Sequence, residues 1–157
     1  MSDQHLTHLN EKGEANMVDV SSREITTRIA TASGKVKISS EVLNAIANNQ
    51  TPKGDVLATA RVAGIMGAKK TSELIPLCHP IAIHKVEVDL KFESDGVAIT
   101  AMVKTNDRTG VEMEALTAVS VAGLTLIDMI KALDPSASIN NIRVDSKSGG
   151  KNGDWKR

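Results

Sequence analysis

The chain has 157 residues, enough for one buried core, and is 41% hydrophobic and 24% charged. Its 19 basic and 19 acidic residues cancel, so no global field draws it to nucleic acid or to a membrane surface. A single cysteine excludes an internal disulfide and every cysteine-rich zinc pattern.

In chain order, residues 1–15 read as a flexible polar tail without an apolar signal core, and residues 16–157 as a single α+β domain, expected in the cytoplasm. Residues 25–32 and 35–38 are rich in β-branched side chains, and Ser33-Gly34 reads as a turn joining them in an extra N-terminal hairpin. Ser39 and Glu41 offer a cap and an acidic first turn to a helix over VLNAIANN. Pro52-Lys53-Gly54 breaks it, and Asp55 caps a second helix whose Ala and Gly residues permit close neighbours. In LIPLCHP, residues 74–80, two prolines hold Cys78 and His79 in a stiff, extended segment. VEVDLKFE alternates strictly, which marks a strand with one wet face. Ile81 and Ile83 lie in the opposite phase, so an irregularity is expected near His84 or Lys85. Ser94-Asp95-Gly96 turns into VAITAMVKT, a helix covers 111–133 up to Asp134-Pro135, and 139–147 supplies the last strand.

This order predicts a ferredoxin-like βαββαβ plan, an antiparallel sheet with helices on one face. Aromatic side chains are nearly absent, with Phe92, Trp155 and no tyrosine, so packing must come from close backbone approach. The 111–133 helix is apolar around almost its whole circumference. One sheet covers one side of a helix, so its other side is expected to meet another subunit.

The polar residues of that helix, Glu114, Thr117, Thr125, Asp128 and Lys131, fall within roughly a third of a turn. They read either as a solvent stripe with an exposed i,i+3 pair, or as the polar wall of a pocket. In the second case a carboxylate beside an ammonium suits proton transfer. Free cysteine usually packs, so Cys78 reads as structural. His79, held by prolines, is placed to meet a planar ring or donate a proton. His79 and His84 lack companions for a metal, so no metal is expected. PKGD with Lys53, TNDRTG before the long helix, and KSGGKNGDWK with Lys147 and Lys151 each suit phosphate. None fits a Walker loop, and each alone also reads as a solvated loop.

MVDVS from Met17, KGDVLATARVAGIMGAKKTSELIPLCHP from Lys53, TGVEMEALTAVSVAGLTLIDMIKAL from Thr109 and KSGGKNGD from Lys147 closely resemble the molybdenum cofactor biosynthesis protein C family of cyclic pyranopterin monophosphate synthases. The likeness covers nearly the whole chain after the tail. Asn152 stands where the family usually carries Ser, and Trp155 where it often carries Phe. The resemblance implies conversion of (8S)-3',8-cyclo-7,8-dihydroguanosine 5'-triphosphate to cyclic pyranopterin monophosphate with loss of pyrophosphate. It implies a homohexamer, a trimer of dimers, with general acid/base catalysis at intersubunit sites. No cofactor is expected, and the triphosphate leaves room for a divalent cation travelling with it. By the same carry-over Asp128 is catalytic with Lys131 beside it, while Leu77, Cys78, His79, Met113 and Glu114 bind substrate, assisted by Glu112. Arg28, Lys53, Lys147 and Lys151 match positions associated with the phosphates. Two rival readings stand beside this one. An RNA-binding module would want exposed aromatic side chains and positive charge, and a phosphate-sensing oligomer would tolerate changes at Asp128 and Lys131.

Overall fold

The computed structural model describes residues 8–151 and 153–157; Asn152 and the first seven positions of the expected tail lie outside them. Residues 8–16 form a short turn closed by a bridge between Leu9 and Ala15. The elements are β1 (Thr26–Lys37), α1 (Ser40–Ala47), α2 (Val56–Lys69), α3 (Thr71–Leu74), β2 (Ile83–Glu93), β3 (Gly96–Asp107), α4 (Glu112–Ile130), β4 (Ser138–Ser148) and β5 (Trp155–Lys156). The five strands form one antiparallel sheet in the order β2-β3-β1-β4-β5. The protein is therefore α+β.

Two expectations are corrected, the turn at Ser33-Gly34 and the side-chain cap from Ser39. The chain does not turn at Ser33-Gly34; β1 runs straight through, with Ser33 opposite Thr100 and Gly34 opposite Ile99. The glycine answers a packing need. A Cβ at Gly34 would meet Val119 Cγ1 at 2.8 Å, so its absence lets α4 settle onto the central strand. The bulge expected near His84 is present, as a register shift between Ile83 and Lys85. Asp55 caps α2 through its side chain, which accepts from the Ala58 amide at 2.9 Å. Ser39 precedes α1 without a side-chain cap; its amide instead donates to Asp134 Oδ2 at 2.8 Å. That bond and the bonds from Ser136 hold the Asp134 carboxyl below the usual carboxylate range, the Ser136 hydroxyl contributing most.

Along β1 the buried positions are Ala30, Ala32, Gly34 and Val36, paired with Val103, Ala101, Ile99 and Val97 of β3. Strand alternation puts these on one face, and α4 lies across it, touching β1, β3 and β4. α2 packs beside α4 and against β2. α4 has the length and mean hydropathy, 1.6, of a membrane-crossing helix, but 56% of that stretch is buried inside the fold. It is the core helix.

Close approach of α2 and α4 is set by glycine. A Cβ at Gly64 would stand 2.9 Å from the Ala118 carbonyl oxygen and 3.1 Å from Ala122 Cβ. At Gly67 it would meet Val121 Cβ at 2.8 Å. Alanine is intrinsically favoured over glycine in a helix by up to about 1 kcal/mol. A backbone carbonyl cannot rotate out of the way, however, and overpacking costs about 1–3 kcal/mol. Gly64→Ala is therefore expected to lower Tm by roughly 2–6 °C in a thermal melt, against the propensity trend.

Candidate active site

LIPLCHP leads from α3 into β2. Contrary to expectation it is not extended throughout but turns first: the Cys78 amide donates to the Ile75 carbonyl at 3.1 Å, with Pro76 at the second position, and irregular chain then leads to β2. This turn points Leu77, Cys78 and His79 into a cavity of ≈ 330 Å³. Glu112, Met113 and Glu114, from the first turn of α4, close its other side. The segment Met17–Arg23, ahead of β1, straps across it and contributes Val18, Val20 and Arg23. Two bonds hold the strap. His79 Nε2 donates to the Val18 carbonyl at 2.7 Å, and Arg108 Nε donates to the Arg23 carbonyl at 3.0 Å. A carbonyl only accepts, so His79 carries its proton on Nε2.

A second cavity of ≈ 220 Å³ adjoins the first and shares Arg23, Thr109, Gly110 and Glu112 with it. Its lining also includes Arg28, Lys147, Gly149 and Lys151. Arg28 Nη2 donates to the Arg108 carbonyl at 3.3 Å, whereas its buried Nε has no partner among the described residues. An unpaired buried guanidinium nitrogen beside two lysines is suited to an anion. The glycine-rich loop is tied down from the C-terminus. β5 pairs with β4, Lys147 opposite Trp155, and the Gly149 amide donates to Asp154 Oδ1 at 2.9 Å. Gly149 and Gly150 have φ of +85° and +87°, the left-handed region that glycine enters without penalty. A side chain at Gly149 would strike the Thr27 carbonyl, and one at Gly150 would strike the Arg28 guanidinium.

Asp128, Lys131 and Lys53 lie elsewhere. Lys131 Nζ donates to Asp128 Oδ1 at 2.7 Å, and Lys53 Nζ to Asp128 Oδ2 at 3.0 Å and to the Asp128 carbonyl at 2.9 Å. All three side chains are about half exposed or more, at 56%, 62% and 48%. Glu114 and Asp128 are fourteen positions apart on one helix, hence about 20 Å apart along its axis. Of the twelve residues singled out in the sequence, nine therefore gather at the start of α4 and three at its end. The polar stripe on α4 divides likewise: Glu114 is 3% exposed, Asp128 is in water. The reading missed Val18, Val20, Arg23 and Thr109; MVDVS and TNDRTG drew notice without showing that the strap folds over the cavity.

The two ends of α4 differ electrostatically. Lys131 first, then Lys53, hold the Asp128 carboxyl down at about 2, so it stands as a carboxylate at neutral pH. Burial, with the neighbouring Glu112 charge, pushes Glu114 up to about 7. Burial chiefly, then Glu114, pushes the Cys78 thiol up, which leaves it a thiol rather than a nucleophile. The Ser21 amide and hydroxyl, then His79, hold Asp19 on the strap below the usual range.

A paired cavity of this kind, one half mixed and one half cationic, is suited to a small molecule that carries negative charge at one end. The MoaC family profile matches residues 17–150. The cyclic pyranopterin monophosphate synthase of Streptomyces griseus is 62% identical over 152 residues, covering 97% of this chain and 86% of the relative. That of Nocardioides sp. JS614 is 58% identical over 159 residues, covering 99% and 98%. That of Corynebacterium glutamicum is 57% identical over 150 residues, covering 96% of each. The chain belongs to the MoaC family.

Two outcomes test the site. A carboxyl whose folded pKa lies above its unfolded value favours folding at low pH, and that contribution is lost as pH rises. For Glu114 the window runs from about 4.5 to about 7. Wild type should thus lose up to about 3 kcal/mol of stability from this residue between pH 5 and pH 8, and Glu114→Gln should flatten that slope in pH-dependent melts. Gly150→Ala should displace Arg28 and weaken binding of inorganic pyrophosphate, used as an anion probe, by about ten- to a hundredfold in calorimetry, since a lost charged hydrogen bond costs about 1.5–3 kcal/mol.

Proposed function

We propose that the chain acts in molybdenum cofactor biosynthesis as a cyclic pyranopterin monophosphate synthase. It converts (8S)-3',8-cyclo-7,8-dihydroguanosine 5'-triphosphate to cyclic pyranopterin monophosphate and releases pyrophosphate. The observation that carries this reading is the pair of joined cavities. His79, Cys78, Met113 and Glu114 offer a ring-sized, partly apolar chamber, and Arg28, Lys147 and Lys151 offer a cationic one beside it. A base and its phosphates need such a pairing. Ring opening and reclosure require repeated proton transfers, and loss of pyrophosphate requires cations against developing charge.

Asp128 is the proposed catalytic residue with Lys131 as its partner in proton transfer, and Lys53 braces the pair through both bonds to Asp128. Glu114, with a pKa of about 7, holds a proton at the cavity wall near neutrality. Since α4 separates the Asp128 group from its own chain's cavity, the reading assigns that group to the cavity of a second copy. Exposed apolar side chains on the helical layer, Val62 at 56%, Met66 at 55% and Leu124 at 60%, support burial against such a copy. The proposed assembly is the homohexamer, a trimer of dimers, working in the cytoplasm, without nucleic acid or membrane. Any divalent cation enters with the triphosphate, and no other cofactor takes part. For the fold, the sheet order β2-β3-β1-β4 with β1α1α2β2 and β3α4β4 crossovers supports the ferredoxin-like plan.

The test is incubation of purified protein with the cyclised nucleotide, followed by detection of pyrophosphate and a pterin. Asp128→Ala should retain assembly and nucleotide affinity while turnover drops at least about 100-fold. Undiminished turnover in that variant removes Asp128 from the mechanism, and no product from wild type refutes the activity.

A further inference from the structure

The cationic cavity contains a charge of the wrong sign. Glu112 begins α4 and lines both cavities. Its Oε1 stands 3.4 Å from Lys147 Nζ, with the two side chains 30% and 31% exposed. Its Oε2 occupies the space a Cβ on Gly110 would fill, so the carboxylate is seated against bare backbone rather than swinging in water. An acidic residue in a first helical turn is favourable on its own account, but that role requires no approach to Lys147. Arg23, Arg28 and Lys151 share the cavity with Lys147. A carboxylate among four cations can only weaken the hold on an incoming anion.

We propose that Glu112 is a positioning residue that acts through Lys147 as a built-in competing anion. It holds the ammonium while the cavity is empty, yields it to the phosphates, and reclaims it as pyrophosphate departs. Affinity for the product is thereby kept low and release kept fast. The inference rests on the phosphate reading of this cavity, and it gives Glu112 a part that direct contact with substrate would not.

The experiment is titration of inorganic pyrophosphate into the full-length protein by calorimetry, for wild type, Glu112→Gln, Lys147→Gln and the double variant. Glu112→Gln should bind pyrophosphate about tenfold tighter, as loss of a half-buried ion pair and of one repulsive charge together allow. The gain should vanish in the Lys147→Gln background. In turnover, Glu112→Gln should lower kcat and KM together and show stronger inhibition by pyrophosphate. Unchanged or weaker pyrophosphate binding in Glu112→Gln overturns the inference, as does a gain that survives Lys147→Gln. Wild type that does not bind pyrophosphate at all overturns the phosphate reading itself, a separable result.

Discussion

With one phenylalanine and one tryptophan in the chain, stability cannot rest on large rings, and the packing depends instead on how closely α2, α4 and β1 approach one another. Gly64 and Gly67 admit α4 to α2, and Gly34 admits α4 to the central strand. The side chains that fill the layer are correspondingly small, with Ala60, Ala68, Ala115, Ala118 and Ala122 all at 1% exposure or less. Close-packed interiors of this kind transmit position. The start of α4 is thereby fixed against LIPLCHP and the glycine-rich loop, and its end against Lys53.

That rigidity keeps two unlike carboxyls apart on one helix. Glu114 sits in a desolvated wall and retains its proton toward neutrality, while Asp128, between two ammonium groups, is charged throughout the physiological range. Under the proposed function Glu114 has a proton to give near neutrality, while Asp128 keeps its charge beside the Lys131 and Lys53 ammonium groups. Under that same proposal, the separation of the two carboxyls along α4 is what calls for more than one copy of the chain in one functional unit.

Much of this was legible in the chain. Strict alternation marked β2, the phase change at Ile83 marked its bulge, and Asp55 before an Ala-rich run marked the start of α2. The error at Gly34 has a definite cause: Ser-Gly between β-branched runs satisfies turn rules, and no local pattern reveals a helix lying above it. The site was legible in its parts rather than its arrangement. Cys78 and His79 stood out by their prolines, and Lys147 and Lys151 by their glycines, but Arg23 carries no local signal. It reaches both cavities because a strap from before β1 is pinned by His79 and Arg108.

The sheet order also bears on how the polypeptide is made. β1 lies at the centre, with Arg28 opposite Thr105 on one side and Ile29 opposite Ser148 on the other. Synthesis runs from the N-terminus, so this strand emerges first and waits for β3, which begins at Gly96, and then for β4, which begins at Ser138. α1 and α2 close locally in the meantime, but long-range pairing of this sort is slow to nucleate. The nascent protein therefore carries its middle strand with one edge bare until β4 has emerged, and that late strand governs when the exposure ends.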